Sequence, residues 1–316
     1  MGRNTSSAIR SLKSIVFASF IALIFAFSSC KTTEQINTIA LPYFSQDEVQ
    51  WQSIDNTPFA QYFVFEKKDF PPLKYAVVKI DLANSNLVIK TYPNETTQRE
   101  NGYIKGISIA SAFKRIQDTL DAKSVLINTT PYTSHGSLLD KKLLHSKLKP
   151  LGLLEINTHR FSVPQFRYAM LVLGKGETGY HAKILSHQAD IYQDTNEKAE
   201  FCIGGYFVVL KDGKLFDSSG RNFSYTSKNA RTALGLSKDG ETLYILAAEG
   251  KKKSTGLTYP ECAKILLSLG ASDAMEFDGG GSSSILINGE NPLNTLSKRK
   301  NVSYIAFLFC NKVHFN

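Results

Sequence analysis

Late in the chain, Glu276-Phe277-Asp278-Gly279-Gly280-Gly281-Ser282-Ser283-Ser284 sets a carboxylate against three consecutive glycines. Each glycine costs backbone entropy, so a run of three suits a turn that needs positive φ or a close approach of ligand to main chain. Exposed N–H groups in such a turn form a concavity that attracts anions. Asp278, at the end of an apolar strand, is placed to exchange a proton or grip a ligand. Taken alone, the segment reads equally well as a flexible Gly/Ser loop. It lacks the Gly-Lys-Ser/Thr ending of a P-loop, and Ser282 to Ser284 lack a nucleophile elbow. Two neighbours sharpen the reading. Arg231 opens Arg231-Thr232-Ala233-Leu234-Gly235, and Glu249 closes Ala247-Ala248-Glu249-Gly250. On adjacent strands, Asp278 and Glu249 are expected to face one cleft. Arg231 offers a planar fork suited to phosphate oxygens, and the N–H groups of Gly279, Gly280, Gly281 and Ser282 offer a cradle.

These residues need a scaffold, and the pattern around them is a mixture of strands with a few helices. Tyr75 to Asp81 and Leu87 to Tyr92 are β-rich runs around Ala-Asn-Ser-Asn, which predicts a hairpin. Ile107 to Ile116 has helical spacing. Ser124 to Asn128, Gly152 to Ile156, Tyr168 to Leu173 and Phe201 to Leu210 read as strands. Thr232 to Leu236 and Thr242 to Ala248 flank the tight turn Lys238-Asp239-Gly240. A helix runs from Thr258 to Leu269 and is closed by Gly270. Its opening Thr258-Tyr-Pro-Glu261 is a capping box, so Glu261 is read as a cap. Strands follow at Ala274 to Phe277, Ser284 to Asn288 and Val302 to Phe309. The fold class expected is α+β, a mixed sheet core with flanking helices.

The order Arg231-Thr232-Ala233, Gly256, Thr258, Glu261, Gly270-Ala271, Ala274 and Asp278 to Ser282 resembles the phosphodiester glycosidase family. Cys202-Ile-Gly204-Gly205, Asp212-Gly213 and Ile80-Asp81-Leu82 look like its earlier strands and turn. The resemblance spans Lys74 to Phe309, and its C-terminal third is the specific part. It implies a hydrolase that cuts a sugar from a sugar-1-phosphodiester, with no cofactor required. It implies Asp278 and Glu249 as catalytic acids, and Arg231, Thr232, Asn128 and Gly279 to Ser282 as substrate or phosphate contacts. Two carboxylates commonly share such work, and a phosphate leaving group needs charge neutralisation more than acid assistance. Two departures stand out. After Asn128 the family has glycines where this chain has Thr129-Thr130-Pro131-Tyr132, and Glu249 stands where aspartate is common. The alternative is a lipoprotein that binds glycan or phosphate without turnover. A divalent ion between the carboxylates would suit oxygen ligands, but the five histidines from His135 to His187 show no metal-ligand spacing.

The 316 residues carry a formal charge of +9, with 42% apolar and 21% charged residues, a globular composition. No nucleic-acid module is present. Residues 1–29 have a basic start (Arg3, Arg10, Lys13), an apolar stretch from Ile15 to Phe27, and small residues before Cys30. This is the layout of an export signal, and it resembles a bacterial lipoprotein signal with Cys30 as the acylated residue. The expectation is an exported protein held at the cell-envelope membrane by lipid on Cys30. Removal of residues 1–29 leaves a charge of +6. Residues 30–73 are read as tether and lead-in, packed on the domain through Trp51, Phe63 and Phe65. The domain proper is placed at 74–316. Cys202, Cys262 and Cys310 then allow at most one internal disulfide.

Overall fold

The computed structural model describes residues 49–54, 56, 58–117, 122–134, 147–188, 190, 199–216, 225–250, 254–293 and 299–310. Among them are twenty strands and two α-helices, so the expected α+β mixture gives way to a mostly β architecture. The largest sheet has eight strands. In spatial order they are β1 (Gln52–Ser53), β2 (Ala60–Lys67), β3 (Leu73–Asp81), β17 (Thr242–Ala248), β16 (Arg231–Leu236), β18 (Asp273–Glu276), β14 (Val208–Lys211) and β15 (Lys214–Leu215). A five-stranded sheet runs β10 (His159–Ser162), β9 (Leu154–Ile156), β13 (Ala199–Gly204), β11 (Met170–Lys175) and β12 (Tyr180–Leu185). A third sheet orders β19 (Ile285–Ile287), β6 (Lys123–Asn128), β20 (Tyr304–Phe309) and β4 (Leu87–Tyr92). The smallest holds β5 (Ile104–Lys105), β8 (Lys147–Pro150) and β7 (Tyr132–Ser134).

Strands β16 and β17 are buried almost throughout, which explains their near-continuous apolar sequences. One face of the large sheet packs Val78, Leu234, Ile245 and Met275 into a core with Val125, Ile127, Tyr304 and Phe307. The other face packs Val77, Ala233, Leu246 and Ala248 against Cys262, Ile265 and Leu266. Those three belong to helix α2 (Tyr259–Ser268); helix α1 is Ile109–Gln117. The period-2 alternation of a strand thus decides which core each residue enters. Helix α2 starts where its capping box predicts. Thr258 Oγ1 accepts from Glu261 N–H at 3.2 Å, and Glu261 Oε2 accepts from Thr258 N–H at 2.7 Å. Such a cap stabilises by roughly 1 kcal/mol.

Three sequence expectations change. Tyr75–Asp81 and Leu87–Tyr92 do not form a hairpin: β3 pairs with β2 and β17, while β4 pairs with β20. The run 201–210 is two strands in different sheets, parted at Gly204-Gly205. Part of the lead-in is not tether, because β1 and β2 belong to the large sheet, and Trp51 meets Phe63 edge-on with ring centroids 4.9 Å apart. The folded domain therefore begins before residue 74. Cys202, Cys262 and Cys310 are free thiols. Cys30 and the signal-like segment lie outside the described residues. No helix among the described residues is long and apolar enough to cross a membrane.

Candidate active site

Antiparallel pairing brings the start of β16 and the end of β18 to the same edge of the large sheet. Ala233 stands opposite Glu276, and Phe277 N–H donates to Thr232 O at 2.8 Å, extending the ladder by one step. Asp278 then leaves the sheet edge, its N–H donating to Thr129 O at 2.9 Å. Gly280 to Ser282 form a single 3-10 turn beside it. Gly280 has φ +60°, a conformation that L side chains adopt at a cost. At Gly281 a Cβ would lie 3.2 Å from Arg299 Cζ, so the missing side chain lets that guanidinium close in.

A cleft of about 500 Å³ opens here, lined by Asp278, Gly279 to Gly281, Arg167, Arg231, Arg299, Asn229 and the aromatic rings of Tyr168, Tyr206, Phe207 and Tyr259. Burial pushes the Asp278 carboxyl up to about 6, against the lowering influence of the Ser282 hydroxyl, Arg299, the Tyr206 hydroxyl and the Gly279 N–H. A carboxyl held there exchanges protons near neutrality. Burial also raises the Tyr206 hydroxyl, which keeps it a donor to Asp278.

The sequence-predicted residues separate into groups. Asp278, Arg231 and the three glycines share the cleft. Arg231, however, is only 3% exposed. Its Nε donates to Leu257 O at 2.9 Å and its Nη2 to Ser227 O at 2.6 Å, while its face lies 3.7 Å from the Tyr259 ring centroid. One edge of the expected phosphate fork is thus engaged with backbone. Of the expected N–H cradle, the donors of Gly279, Gly280 and Ser282 are engaged locally. Gly280 N–H donates to Ala230 O, Ser282 N–H to Gly279 O, and Gly279 N–H to the Asp278 carboxylate. These donors hold the turn and the aspartate together.

Asn128 and Thr232 lie behind the cleft, both 0% exposed, and do not line its wall. Thr232 Oγ1 and Ser284 N–H both donate to Asn128 Oδ1 at 2.9 Å, and Asn128 Nδ2 donates to Asp278 O at 2.7 Å. They position the turn. Ser282 is likewise buried, its hydroxyl beside Asp278.

Glu249 does not line the cleft. Its N–H donates to Lys74 O at 2.9 Å, one step beyond the Ala248–Tyr75 pair. Ala248 packs on the α2 side with Arg231's strand partners, and Ala247 on the opposite side. Alternation sends Glu249 to the Ala247 side, away from Arg231. It is 1% exposed, and neither carboxylate oxygen has a hydrogen-bond partner among the described residues. The expected pair of facing carboxylates is therefore replaced by Asp278 alone among the described cleft residues.

Sequence reasoning missed Arg167, Arg299 and Tyr206. Arg299 stands between Lys298 and Lys300 in a run of like charge with no catalytic pattern, and Arg167 and Tyr206 carry no motif. No group of three or more His, Cys, Asp or Glu residues able to hold a metal is found among the described residues.

A search of curated protein sequences gives no match. Among solved structures, a hypothetical protein from Synechocystis superposes with a TM-score of 0.58 at 13% identity, covering 83% of this chain and 64% of that one. The catalytic domain of zebrafish N-acetylglucosamine-1-phosphodiester alpha-N-acetylglucosaminidase superposes with a TM-score of 0.54 at 16% identity, covering 83% of this chain and 88% of that one. At these identities the likeness is one of fold. The sequence adds its own finding: residues 167–308, which supply Arg231, Asp278 and Arg299, match the phosphodiester glycosidase family, and it is that family's domain that this chain resembles.

Proposed function

We propose that the protein hydrolyses the glycosidic bond of sugar-1-phosphodiesters in this cleft. The observation that carries the reading is Asp278, a carboxyl pushed up to about 6 in a cleft with three arginines. Asp278 takes a proton from water as the water oxygen bonds to the anomeric carbon. The bond from that carbon to the bridging oxygen breaks, and the oxygen leaves with the phosphate as a monoester. Arg299 and Arg167, both exposed at the cleft, neutralise the negative charge gathering on that phosphate. Arg231 adds positive charge from the floor. One carboxylate with several cations suits a leaving group that needs charge neutralisation rather than a proton. Tyr168 and Tyr206 offer aromatic surface to the sugar.

The zebrafish neighbour is named for an N-acetylglucosamine-1-phosphodiester, so a substrate panel begins with that sugar. Release of sugar by the purified protein, lost roughly 100-fold or more in Asp278→Asn, supports the reading. Undiminished release by the variant sinks it. The second reading, a glycan- or phosphate-binding protein without turnover, is favoured by the position of Glu249 outside the cleft. Measurable binding of the same compounds without release selects it. Attachment to the envelope through acylated Cys30 completes the proposal. It predicts palmitate labelling of the parent protein and none of Cys30→Ser.

A further inference from the structure

Glu276 adjoins this cleft through main-chain bonds to Tyr206 and Phe207, which line it, and has no part in the chemistry above. It is 0% exposed, and neither carboxyl oxygen has a hydrogen-bond partner among the described residues. Its main chain is fixed on both sides: its N–H donates to Phe207 O at 3.0 Å and its carbonyl accepts from Tyr206 N–H at 2.7 Å. The register with Ala233 turns its side chain to the α2 face, where Arg231 also points and where the Cys262 thiol faces it. An arginine beside a buried glutamate ordinarily suggests an ion pair. Here Arg231 directs Nε and Nη2 to the carbonyls of Leu257 and Ser227 and its face to Tyr259. A carboxylate in that place has at most the weak S–H donor of Cys262 to replace the hydrogen bonds of water, which favours the neutral acid. Burial wins over the opposing pull of Arg231 and of the Cys262 thiol and leaves Glu276 near 8.

We propose that Glu276 sets the charge the cleft offers to an anion: as the neutral acid it leaves Arg231's charge to the ligand, and as the carboxylate it claims that charge for itself. This rests on the reading of the cleft as a phosphate-binding site. Glu276 is a positioning residue, since it reaches ligand only through Arg231. The groups around it are Arg231 from β16, Tyr259 and Cys262 from α2, Tyr206 ahead of β14, and Asp278 two residues on. Burial holds the Cys262 thiol and the Tyr206 hydroxyl high. Asp278 ionises near 6, so its repulsion of an anion is already complete when Glu276 begins to ionise.

Sulfate is the probe, because it stays a dianion across the range while phosphate does not. Calorimetric titration of the intact protein should show sulfate affinity falling about tenfold between roughly pH 7 and pH 9.5, the loss expected when a charged hydrogen bond is taken away. Glu276→Gln keeps the shape of the neutral acid. It should bind sulfate as the parent does at neutral pH and lose the alkaline fall, while keeping the step near 6 that belongs to Asp278. A variant that has lost binding at neutral pH overturns the proposal, as does one that keeps the alkaline fall. Parent affinity that is flat above neutrality overturns it while leaving the anion site standing. A parent that binds no sulfate at any pH removes the anion site itself. Infrared spectroscopy gives an independent check that survives a variant failing to fold. The parent should show the C=O stretch of a buried neutral carboxyl at neutral pH and lose it near pH 8; absence of that band at neutral pH overturns the proposal.

Discussion

Asn128 Nδ2 donates to the main-chain carbonyl of Asp278 at 2.7 Å, tying together residues 150 apart in sequence. The same amide's oxygen accepts from Thr232 and Ser284. A single side chain thus joins β6, β16 and the Gly-Ser turn behind the catalytic candidate.

Asn128→Ala leaves a carbonyl, a hydroxyl and an N–H group buried without this partner. Each such group costs on the order of 1 kcal/mol or more, so the loss of stability expected is about 3 kcal/mol. Chemical denaturation measures it. Because Asp278 then loses its support, kcat should fall more than KM rises. A variant with native stability refutes the bracing role.

The raised Asp278 carboxyl predicts an acid limb in the pH–rate profile. Activity that needs the carboxylate rises with pH through about 6. The stability sign is opposite. A folded-state value above the unfolded one means that stability present in acid is lost as pH rises from about 4 through 6. Asp278→Asn removes that loss, so at neutral pH the inactive variant should be more stable by about 3 kcal/mol. Thermal unfolding of the two proteins at neutral pH tests this.

Arg299 lowers the Asp278 carboxyl through its charge. Removing it in Arg299→Ala should move the acid limb of the rate profile upward in pH. KM for an anionic substrate should rise roughly tenfold, the effect of a lost charged contact. An unchanged limb with raised KM shows that Arg299 touches only the substrate.

Glu249→Gln separates the expectation drawn from the motif from the geometry observed. Glu249 is buried outside the cleft, so kcat/KM should stay within about twofold, and any effect should appear in stability. A loss comparable to that of Asp278→Asn would restore Glu249 as a catalytic acid.

Local features can be read from the order of residues alone. The capping box Thr258 to Glu261, the turn Lys238-Asp239-Gly240 with its two paired strands, and the Asp-Gly-Gly-Gly-Ser turn all arise between residues a few positions apart. Their backbone preferences and short hydrogen bonds hold whatever surrounds them. The order of motifs, from Arg231 to Ser282, was enough to suggest the family. Features that depend on distant partners emerge only from folding. The apolar runs 75–81 and 87–92 look like a hairpin because alternation states which face is buried but not which strand lies alongside. The face taken by Glu249 followed from a register with Lys74 and Tyr75 across a long separation. Arg167, Arg299 and Tyr206 joined Asp278 only because the sheets carry them to one edge, and the full burial of Glu276 comes from packing, which a linear string of residue types does not contain.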